Sequence, residues 1–152
     1  MSIVTARAIA LALIVVATAA PGTAQPRCSL TRPDALGPFY IANAPERAKT
    51  GEGLVIAGRV LSADQCAPLP GAKLEWWAAN SQGDYDDAHR ATQISDAQGR
   101  YRYETDFPGK YPGRPLHVHV RVTGAGHRPL VTQVYPKPGQ SAIDFDFVLP
   151  RD

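Results

Sequence analysis

The chain has 152 residues, with 16 Lys and Arg against 14 Asp and Glu, for a formal net charge of +2. Near-neutrality without a long basic run argues against a nucleic acid or a membrane surface as partner and leaves a small molecule as the default ligand. At this length a hydrophobic fraction of 44% supports one globular core and requires no second domain.

Met1 to Arg7 carries one basic side chain, and Ala8 to Ala20 is a small, apolar run too short to span a bilayer. Small-x-small sites follow at Ala17-Thr18-Ala19 and Gly22-Thr23-Ala24, the second just before polar sequence begins at Gln25. Residues 1–24 are therefore expected to be a secretory signal peptide, with an uncleaved anchor as the alternative. Residues 25–152 are expected to be an exported domain, periplasmic or secreted. Export places Cys28 and Cys66 where disulfides persist. A bridge between them would stabilise the fold by roughly 4 kcal/mol on the chain-entropy model, tying the start of the domain to a turn.

Thr31 to Lys49 reads as an extended arm, because Pro33, Gly37, Pro38 and Pro45 forbid a long helix. Short runs of alternating apolar residues then predict strands at Leu54 to Leu61, Ala72 to Ala79, Tyr101 to Thr105, Leu116 to Thr123, Leu130 to Tyr135 and Ala142 to Leu149. Breakers separate them, among them Pro68-Leu69-Pro70-Gly71, Ser81-Gln82-Gly83-Asp84, Asp96-Ala97-Gln98-Gly99 and Pro136-Lys137-Pro138-Gly139. The expected fold is an all-β sandwich of short antiparallel strands behind an extended arm. Trp76 and Trp77 must face opposite sides of their strand, one into the core and the other toward a pocket or the arm. His89 and His127 sit in polar sequence and are expected to be exposed.

Chemistry concentrates in Tyr111-Pro112-Gly113-Arg114-Pro115-Leu116-His117-Val118-His119. On a strand His117 and His119 share a face, so both imidazoles can meet one metal. Paired histidines can equally be surface or hydrogen-bonded residues, so further ligands are needed. Soft thiolates are distant and no carboxylate cluster accompanies the pair, whereas Tyr111 lies just upstream and Tyr85 is expected in the turn after the Trp76-Trp77 strand. A trivalent cation favours phenolate at neutral pH, and two phenolates with one hydroxide would balance Fe(III). Taken singly, either tyrosine could simply fill a loop.

The ordered segments Gly37-Pro38-Phe39-Tyr40, Gly71-Ala72-x-x-Glu75-x-Trp77-x-Ala79, Gly83-x-Tyr85, Gly99-x-Tyr101, Tyr111-Pro112-x-Arg114-Pro115-x-His117-x-His119 and Thr132-Gln133-x-Tyr135 together resemble the intradiol ring-cleavage dioxygenases. The likeness is nearest to the catalytic core of the protocatechuate 3,4- and catechol 1,2-dioxygenase group. It implies non-haem Fe(III) held by Tyr85, Tyr111, His117 and His119, with Tyr111 leaving when substrate binds, and Arg114 and Gln133 beside the metal. It further implies a catechol-type substrate, O2 as co-substrate and a muconate-type diacid as product. Tyr111 as phenolate would accept a substrate proton on leaving the metal, and Arg114 would stabilise negative charge on the substrate.

The Tyr111 to His117 connection is shorter than in protocatechuate-type enzymes, which gives the expectation of a more open pocket suited to bulky or substituted catechols. A prealbumin-like or carbohydrate-adhesion-type binding module shares strands, turns and export but has no reason to combine these tyrosines, Arg114 and His-x-His. A copper or zinc binder using His117 and His119 alone would be indifferent to loss of either tyrosine.

Overall fold

The computed structural model describes residues 28–110 and 112–152, so the expected signal peptide lies outside the described residues. Among them there is no helix, and eight strands run in chain order: β1 (Gly53–Ser62), β2 (Lys73–Ala79), β3 (Tyr85–Ile94), β4 (Arg100–Asp106), β5 (Val118–Thr123), β6 (Leu130–Val134), β7 (Ala142–Asp144) and β8 (Phe147–Leu149). One sheet is ordered β4-β1-β7 with β8 also on β1, and the other is ordered β3-β2-β5-β6. The second sheet is wholly antiparallel, as expected. In the first, β7 and β8 run parallel to β1, which departs from the antiparallel expectation.

The sandwich interior follows from the period of two. Leu54 and Ile56 of β1, Leu74 and Trp76 of β2, Val118, Val120 and Val122 of β5 and Phe147 of β8 are all buried and form one cluster. At its centre the Trp76 ring stacks on Tyr103, with centroids 4.6 Å apart. The indole N–H donates to Gln93 Oε1 at 2.9 Å, and Gln93 Nε2 donates on to the Arg102 carbonyl at 2.7 Å. Every polar atom in that chain is satisfied, so its burial carries little penalty.

The expected strand from Ala142 to Leu149 is broken in two, because Phe145 and Asp146 leave the ladder. Phe145 N–H still donates to the Ala57 carbonyl at 2.8 Å, while Asp146 Oδ1 takes the Arg59 N–H at 2.7 Å. A side chain thereby replaces a strand carbonyl and the pairing resumes one step on.

β3 was not among the expected strands, and Tyr85 opens it rather than lying in a turn. Its inward residues include His89 and Gln93, both buried, so its hydrophobic alternation is hidden. The expectation that His89 and His127 are exposed is likewise overturned, since both are buried. His127 Nδ1–H donates to the Ala125 carbonyl at 2.8 Å and its Nε2 meets Ser62 Oγ at 2.9 Å. His89 bridges two carboxylates, Nδ1 to Asp86 at 2.7 Å and Nε2 to Asp106 at 3.0 Å.

For His89, burial disfavours the imidazolium, but Asp86 and Asp106 outweigh burial and hold its pKa above the ordinary value. A raised folded-state pKa gives stability that is complete below the unfolded value near 6.5 and is lost as pH rises through the folded one. Wild type is therefore expected to lose on the order of 1 kcal/mol on that upward titration, the effect being modest because both carboxylates are partly exposed. His89→Gln should flatten the corresponding slope in urea-unfolding free energy against pH. An unchanged slope would assign the dependence elsewhere.

The arm is pinned as its prolines require. A Cys28–Cys66 disulfide fastens its start to the turn after β1. Thr31 N–H donates to the Val148 carbonyl in β8 at 3.2 Å and Asp34 N–H to Val131 in β6 at 2.9 Å. The chain then crosses the outer face of the second sheet. It returns along β3 and β4, where Thr92 N–H donates to the Pro45 carbonyl and Thr50 N–H to that of Glu104, both at 2.8 Å.

Candidate metal centre

Strand alternation that buries Val118 and Val120 turns His119 onto the outer face of the second sheet, and His117, one residue before β5, follows it. Register sets Trp77 of β2 and Gln133 of β6 on either side of His119. Of the adjacent tryptophans, Trp76 is thus the core residue. Trp77 lies under the arm, its ring 4.8 Å from His119 and parallel to it within 8°. Tyr40 of the arm meets the Trp77 ring edge-on at 5.1 Å and donates its hydroxyl to buried Glu75 at 3.1 Å. Glu75 is also held by Arg121 at 2.7 Å and Lys73 at 3.2 Å, which pull its pKa down against the opposing effect of burial.

Tyr85 reaches the same point from β3. Its ring stacks on Phe39 of the arm at 4.2 Å, and the Phe39 carbonyl accepts from the buried guanidinium of Arg90. The result is a convergence of donor atoms: Tyr85 Oη lies 3.0 Å from His117 Nε2, which lies 3.0 Å from His119 Nε2. His117 Nδ1 is 2.7 Å from the Pro115 carbonyl, which can only accept, so the ring proton sits on Nδ1 and Nε2 presents a lone pair. Burial first, then the electrostatic influence of His117 and Arg114, push the pKa of His119 down to about 3, so His119 is a neutral imidazole.

Two imidazole nitrogens and a phenol oxygen converging on one point form a set that can share a cation. The buried His119 Nδ1 has no hydrogen-bond partner among the described residues. Imidazoles with a hard phenolate oxygen fit Fe(III), and the Pro115 carbonyl on His117 Nδ1 is the outer partner that metal-bound histidines commonly have. No group of three or more His, Cys, Asp or Glu capable of holding a metal occurs among the described residues.

Tyr111, the remaining expected ligand, lies outside the described residues. The segment just upstream of it is anchored. Gly109 N–H donates to the Asn80 carbonyl at 2.8 Å, and Gly83 has φ of +99° where a Cβ would stand 2.4 Å from the Lys110 carbonyl oxygen. Only glycine permits that approach of the Tyr111 loop to the turn leading into Tyr85. On the other side of the site, Gly37 with φ of +71° lets the arm pass where a Cβ would come within 3.1 Å of His119 Cε1.

Arg114 and Gln133, both expected beside the metal, are brought together: Arg114 Nη2 donates to Gln133 Oε1 at 2.7 Å. They border a small cavity of about 60 Å³ whose other walls are Tyr85, the two histidines and arm residues Ala35, Gly37, Pro38 and Phe39. Asp34 and Tyr135 adjoin this pair. The sequence reading gave neither a role in the site, because the contact joins residues 101 positions apart.

The fold and site thus define a class: a β-sandwich with a tyrosine and two histidines gathered on the outer face of one sheet, under an N-terminal arm. A dioxygenase family model, Dioxygenase_C, matches residues 37–149. The catechol 1,2-dioxygenase of Acinetobacter baylyi is 32% identical over 136 residues, covering 64% of this chain and 43% of the relative. The dioxygenase domain of a dioxygenase carbohydrate-binding fusion from Streptomyces sp. SirexAA-E is 29% identical with a TM-score of 0.74, covering 82% of this chain and 100% of that one. An intradiol ring-cleavage dioxygenase from Tetranychus urticae is 26% identical with a TM-score of 0.68, covering 73% and 66%. The chain belongs to the intradiol ring-cleavage dioxygenase family. It spans about half the length of the curated relatives it matches.

Proposed function

We propose that this protein binds non-haem Fe(III) through Tyr85, Tyr111, His117 and His119. With O2 as co-substrate, it would open catechol-type rings between the hydroxyl-bearing carbons to give muconate-type diacids. The observation that carries this reading is the meeting of Tyr85 Oη, His117 Nε2 and His119 Nε2 at spacings of 3.0 Å. Relatives named for catechol and hydroxyquinol support an aromatic diol as substrate. Ferric iron held there would supply a Lewis acid that draws electron density from the diol oxygens.

The chain's own residues supply the rest. His119 stays neutral, and His117, its Nδ1 turned to the Pro115 carbonyl, points Nε2 at the same place. Arg114 spends one N–H on Gln133, leaving other donors of its planar fork for negative charge growing on the ring. Tyr111 as phenolate takes a proton from the incoming diol. The arm forms one side of the cavity, and the cover it gives reduces solvent screening of these electrostatic contacts. The protein is further proposed to act after export, behind a signal peptide ending near Ala24. The Cys28–Cys66 disulfide supports an oxidising compartment.

The test is the visible spectrum of the iron-loaded protein before and after anaerobic addition of catechol. A broad tyrosinate-to-Fe(III) band that moves to longer wavelength is the expected result. A protein that stays colourless after reconstitution with iron would sink the reading.

A further inference from the structure

Where the arm meets β6, four side chains form a hydrogen-bonded chain that ends at Arg114. Asp34 Oδ2 accepts from the Tyr135 hydroxyl at 2.6 Å, and that hydroxyl lies 2.9 Å from Gln133 Oε1. Gln133 Oε1 accepts from Arg114 Nη2 at 2.7 Å, while Gln133 Nε2 donates to the Ala35 carbonyl at 2.7 Å. The last two contacts fix which way the amide faces, since a carbonyl can only accept and a guanidinium can only donate. Asp34 Oδ1 takes the Ala35 N–H at 2.7 Å, so aspartate and glutamine hold the same stretch of the arm.

A phenol has one proton to give. The charged carboxylate at 2.6 Å is a stronger and closer acceptor than the neutral amide oxygen at 2.9 Å, so the proton goes to Asp34. Gln133 Oε1 is thereby left to Arg114. Among the described residues Arg114 has no carboxylate as a direct ion-pair partner, and Asp34 is close enough for the two charges to interact.

We propose that Asp34 is a positioning residue for Arg114: by keeping the Tyr135 proton, it leaves the Gln133 amide oxygen free to hold the guanidinium at the mouth of the metal centre. The catalytic consequence rests on the reading of Arg114 as the group that meets negative charge on the substrate; the geometric part does not. Asp34→Asn tests the idea with little change of shape. Its amide oxygen still accepts from Ala35 N–H, but an N–H2 then faces Tyr135, whose hydroxyl must accept and turn its own proton onto Gln133 Oε1. Arg114 then shares that oxygen with a second donor.

Two readouts separate the inference from the dioxygenase reading. In the metal-free protein, the side-chain N–H resonances of Arg114, identified by their loss in Arg114→Lys, should be slow to exchange in wild type and exchange faster in Asp34→Asn. In the iron-loaded protein, Asp34→Asn should lower kcat for catechol about tenfold, the loss expected for a weakened charged hydrogen bond, with KM within about twofold. The visible band and melting temperature should be unchanged. Adding Asp34→Asn to Tyr135→Phe should cost much less than Asp34→Asn alone, because the hydroxyl it acts through is gone and the direct charge interaction with Arg114 is all that remains.

Unaltered Arg114 exchange in Asp34→Asn, or a full additive loss in the double variant, would overturn the proposal. A loss of activity that merely tracked a lower melting temperature would do the same, by showing a structural role alone. Wild type with iron but no ring opening would instead overturn the dioxygenase reading, and the exchange measurement would still decide whether Asp34 holds Arg114.

Discussion

Tyr85→Phe is expected to remove the visible tyrosinate band contributed by this residue and to lower ring cleavage by at least about 100-fold, the upper end of what even outer partners of a metal contribute. The substitution deletes one oxygen and keeps the ring that stacks on Phe39 at 4.2 Å. The fold should survive, since the ring and its stacking stay in place and the described contact of the lost atom is with the site residue His117 at 3.0 Å. Melting temperature should move little, which distinguishes loss of a ligand from loss of structure. The measurement is metal content per chain together with the oxygen uptake rate on catechol. Retention of both would leave a metal held by His117 and His119 alone and revive the copper or zinc binder.

Trp76→Ala should be the most damaging single change to the fold, at about 3–5 kcal/mol for truncating a fully buried tryptophan. That is a large part of the 5–15 kcal/mol that holds a domain of ordinary stability. The cavity would open against Tyr103 and Tyr101, whose rings lie 4.6 Å and 5.6 Å from the indole. Gln93 Oε1 would lose its donor in the sandwich interior. Urea unfolding reads the effect directly. A loss below about 1 kcal/mol would mean that the indole is not the centre of the core, since a surface change costs no more than this.

These two aromatic residues also show how the chain encodes its fold. The opposite facing of Trp76 and Trp77 follows from strand geometry alone, but which one faced inward did not. That was decided by the second sheet's partners: Tyr103 waits on one side, while His119 and the arm's Tyr40 wait on the other. β3 was invisible for a related reason. Its inward positions carry His89 and Gln93, polar residues that the tertiary structure makes acceptable by supplying Asp86, Asp106, Trp76 and the Arg102 carbonyl.

What the sequence determined by itself was local or strictly periodic. Alternation fixed the common face of His117 and His119 and most strand positions, the prolines fixed an arm that could not be helical, and the ordered motifs fixed the family. The tertiary structure alone decided what meets across long separations. It laid Asp34 against Tyr135, 101 residues away, joined Tyr40 to Glu75, and set His89 between Asp86 and Asp106, none of which the sequence offered. The physical reason is that periodicity dictates only the direction in which a side chain leaves its strand. The pairing order of the strands and the path of an arm without regular hydrogen bonding are set by global packing.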